Sequence, residues 1–215
     1  MSRPIERWLE MQNPSIQKSV RAVDCSQPLL HLSANGAIRK FTPRIPKSLY
    51  DGEDQTVPRV CVSTNLVETL IGAAWNFEEL RNQVNFDSLD FVVYGLDVEQ
   101  AIRPTKKLTQ EGIATGELWV VPYRMQMYEI QPSRIAALSI ASIMVKGGLT
   151  TLDLVVDVRE EMMLDNSTKL EEGYYRLSNL SLSDILGKNR SMKYGLSAIS
   201  RDGFLNGKNN LSVSQ

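Results

Sequence analysis

The 215-residue chain contains one histidine, His31, and two cysteines, Cys25 and Cys61. A single histidine excludes mechanisms that need two, including His-rich zinc sites and paired-histidine phosphodiester chemistry. Two cysteines without CxxC spacing supply neither a disulfide framework nor a thiolate zinc site, so a reducing, cytoplasmic setting is expected. No apolar run approaches the roughly 20 residues needed to span a bilayer. The opening MSRPIERWLEMQNPS is too polar for a secretory signal. GxGxxG, GxxxxGK[ST] and GxSxG are all missing, which removes the Rossmann site, the P-loop and the hydrolase elbow. Neither charge sign dominates, with Lys+Arg 24 against Asp+Glu 25. The basic residues are scattered and lack interleaved aromatics, so general nucleic-acid binding gains little support.

What is present is an ordinary globular composition, 42% hydrophobic and 23% charged. Residues 1–27 read as a polar leader with a short amphipathic segment at Ile5, Trp8 and Leu9, interrupted by Pro14. PLLHLS (28–33) reads as a strand ended by a turn. Residues 41–58 carry three proline interruptions and an acidic cluster, and read as a long loop with Tyr50 near its tip. RVCVS (59–63) is a second strand, and Asn65 is placed to cap a helix over 66–84. Residues 89–98 and two segments within 114–130 read as strands. Residues 133–148 read as a helix stopped by glycines, and 149–158 as a late strand. From about 166 the chain becomes rich in Gly, Asn, Ser and Lys and reads as a polar arm or tail. The organisation expected is a leader (1–27), an α+β domain (28–165) and a C-terminal arm (166–215).

Three strand edges carry polar residues: His31-Leu32-Ser33, Ser63-Thr64, and Glu117 before an apolar strand. Singly, each has an everyday explanation as a core histidine, a helix cap and a solvated carboxylate. In this order, LLHLS, VCVSTN and TGELWVV resemble the histidine-bearing branch of the ADP-ribosyltransferase fold. That fold is shared by poly-ADP-ribose polymerases, diphtheria-like toxins and RNA 2′-phosphotransferases. The likeness covers residues 28–130, and the segment TPRIPKS…GEDQTVPRVCVST is also similar to small phage and bacterial proteins bearing such a domain.

The resemblance implies split antiparallel sheets with a few helices and NAD as substrate. It assigns His31 to the adenosine ribose, the backbone of Leu32 to the nicotinamide carboxamide, and Ser33, Ser63 and Thr64 to support of the site. Glu117 would stabilise the positive charge that develops on the ribose as nicotinamide leaves. Arg44 or Arg59 would reach the pyrophosphate, although a surface salt bridge is the commoner role for either; the proline-rich loop would cover the cofactor or serve as an ordinary structural loop. Thr115 stands where arginine-modifying transferases have glutamate, so arginine is not the expected acceptor. No counterpart of the polymerases' nicotinamide-stacking tyrosine is apparent. The expected activity is NAD-dependent ADP-ribosyl transfer to a protein or nucleic acid, without membrane association, in the host cytoplasm if the chain is phage-encoded. The alternative is a catalytically inactive interaction protein, or a phage structural or host-binding component, on a degenerate version of the fold.

Overall fold

Short strands with one apolar face need partners, and the faces they share become core. The structure, a computed structural model, describes residues 3–47, 53–66, 68–70, 89–109, 116–124, 129–146, 151–158, 162–163, 169–181 and 196–202. Two short helices open the chain, α1 (Pro4–Glu10) and α2 (Pro14–Ser19). The strands that follow are β1 (Val20–Asp24), β2 (Leu29–Ser33), β3 (Val60–Val62), β4 (Leu89–Leu96), β5 (Gln100–Pro104) and β6 (Leu118–Val120). After them come β7 (Ser133–Lys146), β8 (Thr151–Val158), β9 (Met162–Met163), β10 (Lys169–Leu170), β11 (Gly173–Ser181) and β12 (Leu196–Ile199).

These strands form an antiparallel four-stranded sheet, β1-β5-β6-β3, a six-stranded sheet, β12-β11-β8-β7-β4-β2, and the small β9-β10 pair. The protein is therefore of the α+β class, with split antiparallel sheets. Val60, Val62, Leu118 and Val120 of the smaller sheet share one buried cluster with Leu29, Val92, Tyr94 and Leu96 of the larger. Strand alternation sends Cys61 and Trp119 to the opposite face, where they pack with Ile5, Trp8 and Ile16 from the helices. The smaller sheet thus has an inter-sheet side and a helix side.

Three expectations are revised. The leader is no appendage: Ile5 and Ile16 are buried, and β1 pairs with β5 along its whole length. The break at Pro14 lies between α1 and α2, and Asn13 caps α2, its Oδ1 accepting from the Ile16 N–H at 3.0 Å, so Pro14 starts a second helix. The helix read over 133–148 is instead β7, paired with β4 on one side and β8 on the other. Hydrogen bonding along both edges outweighs the helical preference of its Ala, Leu and Met residues. Within the expected arm, β11 pairs with β8 and β12 with β11, extending the larger sheet. Of the helix expected over 66–84, Leu66 and residues 68–70 are helical, and 71–84 lie outside the described residues.

Candidate functional site at the sheet split

β2 belongs to the larger sheet and β3 to the smaller, and they meet through one bridge. The Leu30 N–H donates to the Ser63 carbonyl at 2.8 Å, and the Ser63 N–H returns a bond to the Leu30 carbonyl at 3.0 Å. Backbone groups alternate along a strand, so those of Leu32 point to the same side as those of Leu30, away from β4. Among the described residues nothing bonds to them. Leu32 therefore presents an N–H and a C=O side by side where the two sheets separate.

His31 stands next to this open edge. Its Nδ1 lies 2.8 Å from the Cys61 carbonyl oxygen, which can only accept, so Nδ1 carries the proton. Nε2 is then an acceptor with no partner among the described residues. Phe41 meets the imidazole edge-on at 4.7 Å between ring centroids, and Tyr94 meets Phe41 at 5.6 Å. Burial lowers the His31 pKa, outweighing the opposing bond to the Cys61 carbonyl, so the ring is neutral at neutral pH.

The hydroxyls at the end of β3 are engaged locally. Thr69 Oγ1 donates to the Asn65 carbonyl at 2.8 Å, so in the 2.5 Å contact between Ser63 Oγ and Thr69 Oγ1 the serine is the donor. Asn65 is the helix cap read from the sequence, its Oδ1 accepting from the Glu68 N–H at 2.9 Å. Thr64 Oγ1 donates to Glu68 at 3.1 Å, and the Glu68 carboxylate lies so close to Gly116 that a side chain there would collide with it. Ser33 Oγ accepts from the Asn35 N–H at 3.1 Å, closing the turn after β2.

Glu117 precedes β6, where continuing the Val62–Leu118 pairing by one step sets it opposite Ser63. Its Oε1 accepts from Trp119 Nε1 at 2.7 Å. Burial raises its pKa, against the lowering effect of hydrogen bonds from Cys61 and Trp119. Burial, then Glu117 itself, drives the Cys61 thiol well above its usual pKa, which disfavours the thiolate. Behind this pair the Arg59 guanidinium covers the Trp119 ring at 4.1 Å and donates to the carbonyls of Asp54, at 2.8 Å, and Val57, at 3.2 Å.

The fold thus brings the backbones of the three sequence motifs onto neighbouring strands, β2, β3 and β6. It does not bring the His31 and Glu117 side chains into one contact set. His31 touches the inter-sheet cluster through Phe41, whereas Glu117 is tied to Trp119 on the helix side. Arg44 is exposed, and its backbone pairs with that of Arg59. Tyr50 and Thr115 lie outside the described residues. Sequence reasoning missed Glu68, which sits in the helix after Asn65 and reaches Gly116 only through the fold. It also set Arg59 on the surface, whereas Arg59 is 2% exposed. Among the described residues no group of His, Cys, Asp and Glu is placed to hold a metal ion, and no helix is long and apolar enough to cross a membrane. Compared with known proteins, the chain matches no family model, no curated protein and no solved structure.

Proposed function

We propose that the chain is an NAD-dependent ADP-ribosyltransferase that binds NAD at the split between the sheets. The observation that carries this reading is the Leu32 backbone beside His31 Nε2, neither with a hydrogen-bond partner among the described residues. A primary carboxamide has one donor face and one acceptor face, and an adjacent C=O and N–H pair complements both. A neutral imidazole with Nε2 as acceptor suits a ribose hydroxyl. In this reading Glu117 leaves Trp119 and turns from the helix side toward the split to supply the carboxylate for the ribose cation, and its raised pKa confines that role to pH values above the ordinary glutamate range.

A second reading, a non-catalytic interaction protein or phage structural or host-binding component, is favoured by a different observation. The side chains of Ser63 and Glu117 are engaged within the protein, and Glu117 faces the helix side. Nicotinamide release from NAD, followed by chromatography with and without lysate as acceptor, separates the two. The transferase reading expects turnover that falls at least about 100-fold in Glu117→Gln, while NAD binding by calorimetry persists. Absence of both turnover and NAD binding would leave the interaction reading.

A further inference from the structure

We propose that the groove between the start of β1 and the end of β5 binds the phosphate backbone of a single-stranded nucleic acid. The inference goes beyond the transferase reading and stands without it; if both hold, it names the acceptor class. The groove encloses about 690 Å³ and is lined by Lys18, Arg21, Arg103, Lys106 and Lys107, with Glu117 as its carboxylate. These cations are far apart in sequence. The β1–β5 ladder joins them, and the Thr105 N–H locks the two ends together by donating to the Ser19 carbonyl at 2.8 Å.

A second observation points to a bound anion. Arg21 and Arg103 are direct cross-strand partners. Their register sets two like charges side by side at the groove, where a polyanion would meet both. Among the described residues Lys18, Arg21, Lys106 and Lys107 take part in no ion pair.

The shape selects among polyanions. A volume of about 690 Å³ is of the size that takes a few nucleotide units of one strand. An extended acidic peptide points successive carboxylates to opposite sides, so it delivers fewer charges to one concave surface than a sugar-phosphate chain does. Among the described residues no aromatic side chain lines the groove. Recognition is therefore electrostatic and indifferent to sequence.

The test is fluorescence anisotropy of the full chain with labelled oligothymidylate and oligouridylate of about twelve nucleotides, against oligoglutamate of equal charge. Both oligonucleotides are expected to bind. If four phosphates are neutralised, affinity drops about 50-fold between about 50 and 200 mM salt. The double substitution Lys106→Glu/Lys107→Glu, in an exposed turn, should lower affinity at least about tenfold and flatten the salt slope by about 1.4. Lys18→Glu, on α2, should weaken binding in the same direction, and thermal melts confirm that each variant is folded. The proposal is overturned if neither oligonucleotide binds, if folded charge-reversal variants bind unchanged, or if oligoglutamate binds as tightly. NAD turnover without oligonucleotide binding removes this inference and leaves the transferase reading; oligonucleotide binding without NAD turnover does the reverse.

Discussion

Arg59 lies over Trp119, 4.1 Å from the ring centroid, with its guanidinium sealed from solvent and Nε and Nη2 lacking hydrogen-bond partners among the described residues. Its nearest carboxylate contact, Asp54 Oδ1, is 3.9 Å away. Asp54 is itself occupied in a tight turn, accepting from the N–H groups of Thr56 and Val57 at 2.9 and 2.7 Å. The cation is therefore held chiefly by the indole face and two carbonyls.

Truncation of this residue removes packing over Trp119 and leaves two carbonyls unmet. Arg59→Ala is expected to cost about 3–5 kcal/mol in urea unfolding. Arg59→Met keeps the apolar stem on the ring and removes the incompletely bonded cation, so it should recover most of that loss. An equal loss in both variants would contradict this account.

Gly116 adopts φ +68, a region that disfavours side chains, and the Glu68 carboxylate blocks the space a Cβ would take. Gly116→Ala is expected to destabilise by about 1–3 kcal/mol. Adding Glu68→Ala should relieve the collision but not the backbone strain, so the double mutant recovers only part of the loss. Full recovery in the urea midpoint would show that the dihedral carries no cost.

The pH dependence of stability should carry opposite signatures from Glu117 and His31. Glu117 has its folded pKa raised, so its favourable contribution is complete below the unfolded value and is lost as pH rises through the folded one. Glu117→Gln keeps an acceptor for the Trp119 indole and cannot ionise. Its melting temperature should match wild type in acid and exceed it progressively toward neutral pH. His31 has its folded pKa lowered, so its contribution is present above the unfolded value and disappears as pH falls through the folded one. Melting curves across the acid-to-neutral range test both, and a mutant advantage for Glu117→Gln that grows toward acid would refute the assignment.

Tyr94 fastens the turn after β2, its hydroxyl donating to the Asn35 carbonyl at 2.9 Å and accepting from the Ile38 N–H at 3.2 Å. Tyr94→Phe should cost about 1–2 kcal/mol. It should also accelerate amide hydrogen exchange at Ile38 relative to the β2–β4 ladder. Unchanged protection there would mean that the turn is held by its own Asx bond, from the Ala37 N–H to Asn35 Oδ1.

The parts of the fold legible in the sequence were those governed by local pattern. The apolar runs around His31, Cys61 and Trp119 gave β2, β3 and β6, and Asn65 was readable as a cap. β7 was not, because its Ala, Leu and Met residues favour a helix until β4 and β8 bond to its two edges. Gly, Asn and Ser likewise hid β11 and β12, whose order comes from pairing rather than propensity. The site divides the same way. His31 and Glu117 were visible as polar residues at apolar strands, but the open edge of Leu32 exists only because pairing stops after Leu30 and Ser63. The basic groove was invisible to any scan along the chain, since Lys18 and Arg21 meet Arg103, Lys106 and Lys107 only across the β1–β5 ladder.

The strand order also sets a timetable for synthesis. From β4 onward the larger sheet grows by successive additions of β7, β8, β11 and β12, each against a strand already made. The amino-terminal strands have no such neighbour: β1 must wait for β5, β2 for β4, and β3 for β6. Loop-closure entropy is therefore concentrated in the first half of the chain. As the nascent polypeptide leaves the ribosome, that half has only the Leu30–Ser63 and Arg44–Arg59 bridges to form until β4, β5 and β6 emerge. The segments that carry His31 and Ser63 are thus completed late, by strands translated after them.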